Sequence, residues 1–164
     1  MRTFLIVVLL TLPPVASACV VPPPEQHVSN VELIARTKNI VLAKVTSIKK
    51  DKNNWDTTYT FQTIEVLRGN LPETFQIRGF PELKKEEDIH FENHTDVRVW
   101  RSAPGRNWGS SSNDTDCIIH PQFVSNRTYL IFYDTPYHSK SFELIVDPLN
   151  DKWLKYVREQ LSRP

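Results

Sequence analysis

The chain has 164 residues, with 20 basic against 19 acidic side chains, four glycines and two cysteines. Removing residues 1–18, whose one charged side chain is Arg2, leaves 146 residues with 19 charges of each sign, a length that suits one compact domain. That balance gives no electrostatic reason to expect nucleic acid or an anionic membrane as a partner, and so few glycines argue against a flexible or repeat-built chain.

Met1–Ala18 has the three parts of a secretory signal. Arg2 supplies the positive start, Phe4–Leu12 the apolar run, and Ala16-Ser17-Ala18 the small residues a signal peptidase accepts. The apolar run is too short to span a bilayer and Pro13-Pro14 closes it, so the expectation is export with no membrane span. Cleavage after Ala18 makes Cys19 the first mature residue, and two chemistries compete for its sulfur. In the first, Cys19 pairs with Cys117 and no odd thiol is left; closing a loop of about 100 residues stabilises the fold by up to ~4–5 kcal/mol in the chain-entropy model. In the second, Ala16-Ser17-Ala18-Cys19 serves as a lipobox and Cys19 carries a lipid anchor. The product is then secreted or periplasmic in the first case and an outer-membrane lipoprotein in the second.

Val20–Pro24 reads as a stiff extended arm, because Pro22, Pro23 and Pro24 lack N–H donors and push their predecessors out of helical space. A helix should then open at Ser29, with Glu32 completing a capping box and Val28 stapling to Leu33. Val31, Ile34 and Ala35 define its apolar face, and it should run about three turns, to near Lys38. Ile40–Ile48 reads as a first strand and Thr57–Leu67 as a second, whose apolar phase slips from Tyr59 and Phe61 to Ile64 and Val66. That slip predicts a bulge near Gln62-Thr63. Arg68-Gly69-Asn70 supplies a turn into a third strand, Thr74–Arg78.

Periodicity is lost over an excursion at about 81–123, rich in charge, Asn and Ser. It holds Phe91, Trp100 and Trp108 interleaved with Arg98, Arg101 and Arg106, either a binding surface or a satellite core. His90 and His94 are four apart and would share one face of a helix, which makes them candidate metal ligands with His120 as a third. The competing reading is a solvated acidic loop. Order returns with a fourth strand at Thr128–Tyr133, a turn over Asp134–Lys140, a fifth strand in which Phe142, Leu144 and Val146 alternate, and a terminal helix. Asn150 or Asp151 caps that helix, and Trp153, Leu154, Val157 and Leu161 form its apolar stripe. No activated nucleophile stands out: Ser110-Ser111-Ser112 has no neighbouring base, and neither cysteine sits in a redox pair. The expectation is a protein that is not an enzyme and needs no cofactor. Asn93, Asn113 and Asn126 head glycosylation sequons that matter only in a eukaryotic secretory pathway.

The layout is mainly β, with five short strands, a short N-terminal helix and a C-terminal helix, and suits a five-stranded closed barrel of the oligonucleotide/oligosaccharide-binding (OB) type. Several spaced features carry a family resemblance. They are mature Cys19 followed by Val-Val-Pro-Pro, a helix leading to Ile40-Val-Leu-Ala-Lys-Val45, Tyr59-Thr-Phe61 with the turn at Arg68-Gly69, and Cys117 shortly before Asn126-Arg-Thr-Tyr-Leu-Ile131. With these the chain resembles the netrin-like modules, particularly the N-terminal domain of the tissue inhibitors of metalloproteinases, and exported bacterial proteins with a trimmed version of the module. The resemblance implies one netrin-like domain over 19–164 and a Cys19–Cys117 bridge. It also implies an inhibitory edge in which the Cys19 amine and carbonyl meet the zinc of a metalloprotease and the Val20 side chain enters its specificity pocket. Where those inhibitors open Cys-x-Cys, this chain has Val21 in the third mature position, and it lacks their further cysteines.

Overall fold

The computed structural model describes residues 28–52, 56–81, 111–113, 119–136, 138 and 140–163. Its elements are α1 (Asn30–Arg36), β1 (Ile40–Lys50), β2 (Thr57–Arg68), β3 (Thr74–Gly79), β4 (Ser111–Asn113), β5 (Ile119–Pro121), β6 (Thr128–Phe132), β7 (Phe142–Leu144) and α2 (Lys152–Ser162). The five expected strands are β1, β2, β3, β6 and β7, joined as an antiparallel sheet in the order β3-β2-β1-β6-β7. β4 and β5 form a separate two-stranded hairpin within the excursion, a stretch that shows no strand pattern in its residues. Among the described residues no helix is long and apolar enough to cross a membrane.

The expected closed barrel is corrected by the strand pairing. β3 and β7 are end strands, and among the described residues no ladder joins them. The edge of β3 turns instead to β5: the Phe80 N–H donates to the Pro121 carbonyl at 3.0 Å, and a Cβ on Gly79 would lie 1.9 Å from that same oxygen. β7, only three residues long, offers little edge to complete a closure.

The sheet nevertheless curls. Three strand spacings separate β3 from β6, about 14 Å in a flat sheet. Yet the ring of Phe75 on β3 meets that of Tyr133, just after β6, at 5.5 Å between centroids. Bulges supply the bend. In the β1–β2 ladder the register slips past Ile64 and Leu67 on β2 and past Thr46 on β1. The bulge expected near Gln62-Thr63 therefore falls one or two residues later, and it turns Ile64 and Val66 to an exposed position while Leu67 packs under the helices.

Two cores lie on the two faces. Val41, Ala43, Val45, Tyr59, Phe61, Phe75, Tyr129, Ile131, Phe142 and Leu144 line the concave face, and Phe123 sits among them. Ile40, Leu42, Leu130, Phe132 and Ile145 line the other face, covered by Leu33 and Ile34 of α1 and by Trp153, Leu154 and Val157 of α2. The α2 stripe is as expected, with Leu161 partly buried at its end. Asp151 is the N-cap, its Oδ1 accepting from the Leu154 N–H at 2.7 Å.

Two readings of local pattern are corrected. α1 ends at Arg36 and buries Leu33 and Ile34, leaving Val31 53 % exposed and Ala35 exposed as well, so its covered face is rotated from the expected one. A helix of seven residues carries too little periodicity to fix its own phase, and the sheet beneath chooses it. Val146 falls outside β7 and is exposed, because the strand stops at Leu144 and Ile145 turns to the helix side.

Candidate functional site

Ser29 caps α1 as expected, its Oγ accepting from the Glu32 N–H at 3.2 Å, while the Glu32 carboxylate pairs along the helix with Arg36. Val28, immediately before the cap, packs against the helix-side core. It is also the first described residue, following in sequence the stretch expected to form an extended arm.

The carbonyl of Val28 is held by His138 at 3.0 Å through Nε2. The other ring nitrogen, Nδ1, accepts from the Lys140 N–H at 3.1 Å. An N–H can be received only by a nitrogen without a proton, so the imidazole is neutral and its hydrogen is on Nε2, donated to Val28. The ring is 1 % exposed. The sequence signal for this residue was poor: a lone histidine in a polar turn shows no periodicity, and nothing local reveals that it reaches 110 positions back along the chain.

The connection carrying His138 is fixed at several points. Ser141 Oγ donates to the Thr135 carbonyl, and the Ser141 N–H donates to the His138 carbonyl at 2.9 Å. Thr37 Oγ1 donates to the Leu33 carbonyl at 2.7 Å, so at its 2.7 Å contact with Thr135 Oγ1 it acts as the acceptor. The Asp134 carboxylate receives the Asn39 N–H at 2.6 Å and the Asn39 amide nitrogen at 3.1 Å. Asn39 in turn accepts from the Asn70 N–H at 2.9 Å. Arg68 Nη1 donates to the carbonyls of Ile34 and, at 3.0 Å, of Thr37, satisfying the end of α1. Gly69 completes this corner at φ +82°, where a Cβ would meet Asn39 Oδ1 at 2.2 Å. The Arg68-Gly69-Asn70 turn thus ties the α1–β1 corner to the β6–β7 connection.

Between these parts lies a cleft of about 390 Å³, lined by Val28, Leu33, Arg36, Lys38, Asp134, Thr135 and His138. It has an apolar floor, two cationic side chains at its mouth and a carboxylate already engaged by Asn39. Close by, Lys140 and Glu143 form a buried ion pair with Nζ–Oε1 at 3.5 Å and side chains 1 % and 0 % exposed. Glu143 sits opposite Leu130 in the β6–β7 ladder, so a carboxylate occupies a position the alternating pattern would fill with an apolar residue.

The residues singled out by sequence fare differently. Cys19, Val20 and Cys117 lie outside the described residues, as do His90, His94, Phe91, Trp100 and Trp108. His120 is described, and its ring stacks on Phe80 with centroids 4.2 Å apart and planes 8° from parallel. Among the described residues no group of three or more His, Cys, Asp or Glu side chains could hold a metal ion. No family model matches the chain, and searches of curated proteins and of solved structures likewise return no match.

Proposed function

We propose that the chain is an exported binding module that acts without catalysis and presents its mature N-terminus, Cys19-Val20, to a protein partner, with inhibition of a zinc metalloprotease as the sharpest form. The observation that carries this reading is the fixing of Val28. An arm that stiffens through Pro22, Pro23 and Pro24 gains affinity only if its base is immobile, because freedom lost on binding subtracts from the interaction. His138 from the β6–β7 connection and the cap at Ser29 hold that base. With Val21 where the inhibitors have a second cysteine, non-covalent anchoring at Val28 takes over part of what a bridge would do. The order β3-β2-β1-β6-β7 with its curl further suits a partly open barrel of the OB type, the netrin-like layout.

The test is an inhibition assay with protein beginning at Cys19. It should slow a zinc protease, and one extra residue before Cys19 should abolish the effect by blocking the free amine. Absence of inhibition across a broad panel of zinc proteases would sink the protease reading. Intact mass of the native protein before and after reduction accompanies the assay. A gain of about two daltons assigns the Cys19–Cys117 bridge, whereas a lipid increment makes Cys19 a membrane anchor and removes its amine from inhibition.

A further inference from the structure

We infer that His138 is a pH-sensitive latch on Val28, engaged when its imidazole is neutral and released when it is protonated. The inference rests on the proposed role of the arm and adds its regulation. The bonds of the ring to Val28 and to Lys140 require the neutral form with hydrogen on Nε2. A proton added at Nδ1 would point at the Lys140 N–H, so that bond is lost and two donors face each other. The ring must then move, and the grip on the Val28 carbonyl goes with it.

The surroundings favour the neutral ring. Burial disfavours the imidazolium. Among the described residues, the charged groups lining the cleft with His138 are Arg36 at the end of α1, Lys38 in the α1–β1 corner and Asp134 in the β6–β7 connection. The two cations oppose a further positive charge, and the Asp134 carboxylate is already engaged by Asn39. Lys140, on the same connection, adds a third cation, balanced by Glu143 on β7. The cleft itself gives protons a route to the ring. The sign follows from linkage: the latched form binds one proton fewer than the released form, so falling pH favours release.

The experiment is NMR on the full mature chain between pH 8 and pH 5, following the histidine ring signals and the exchange protection of the Lys140 amide. The His138 signal is identified by its loss in His138→Gln, whose amide nitrogen supplies a neutral donor toward Val28. In the wild type, protection at Lys140 should fall about tenfold, the worth of one hydrogen bond, over the pH range in which His138 titrates. In His138→Gln it should not depend on pH. Titration of His138 with Lys140 protection unchanged would overturn the latch, as would the same loss of protection in the glutamine variant. If that variant does not fold, assignment through the backbone lets the wild-type titration decide alone. The outcome is separable from inhibition. A latch that titrates in a protein that inhibits nothing condemns the protease reading only, and inhibition without titration condemns the latch only.

Discussion

On the concave face of the sheet rings make up about half of the core, whereas on the helix face it is mostly aliphatic, with Phe132 and Trp153 stacked at 5.9 Å. The covering also differs. Two helices with legible caps lie over the second face, and the stripe of α2 announces what it will bury, whereas the sheet sets the covered face of α1. The first face is filled by one side chain from the end of the excursion. Phe123 meets Tyr59, Phe61, Tyr129 and Phe142 edge-on, with centroids 4.9–5.6 Å away, and so touches β2, β6 and β7 together. A sheet whose end strands share no ladder among the described residues is thus held in its curl by aromatic contacts to a residue outside the sheet.

The largest effect should come from removing that residue. Phe123→Ala leaves a cavity among fully buried rings and should cost about 3–5 kcal/mol in chemical denaturation. A cost near 1 kcal/mol would mean that the curl stands without its plug. Gly69→Ala tests the helix side at the corner that fixes α1 against β1. At φ +82° the new Cβ would crowd Asn39 Oδ1 and the Lys38 carbonyl, at 2.2 and 2.4 Å, and the expected loss is about 1–3 kcal/mol. Adding Asn39→Ala should recover little of it, because the Lys38 backbone remains in place. Full recovery in a double-mutant cycle would show that the strain is a side-chain clash alone.

This contrast also explains what could be read in advance. Ser29, Asp151 and the stripe Trp153, Leu154, Val157 follow from capping chemistry and a 3.6-residue period, both local properties. The five strands of the main sheet, but not β4 and β5, follow from β-branched and aromatic runs, and the bulge near Ile64 from a phase slip between Phe61 and Ile64. Closure was misjudged because strand count and order say nothing about which edges meet. That depends on the Gly79 approach to Pro121, made possible by a missing side chain. Phe123 was invisible because it follows a stretch without periodicity and acts through contacts far along the chain. His138 was missed for the same reason: its bond to Val28 is set by tertiary placement, and a turn of polar residues predicts only exposure. Cys19, Val20, Cys117, His90 and His94 lie outside the described residues.

Smaller effects separate the entry of α2 from the rest of the helix face. Asp151→Ala removes the acceptor for the Leu154 N–H and should cost about 1 kcal/mol, read as a lowered denaturation midpoint with unchanged slope. One turn earlier, Asp147 accepts from the Asn150 amide at 2.8 Å and from the Leu149 N–H at 3.0 Å. Those bonds, the Asn150 side chain first, hold its carboxyl below the usual 3.8. A carboxylate whose pKa is depressed by folding contributes stability above its unfolded value and loses it as pH falls through the folded one. The group is fully exposed, so the effect is small. Asp147→Asn should be slightly less stable than the wild type at pH 6, and the difference should begin to shrink as pH falls below about 4 and vanish once pH lies below the folded value. A difference that persists at pH 2 would mean that the loop before α2 depends on the shape of the side chain and not on its charge.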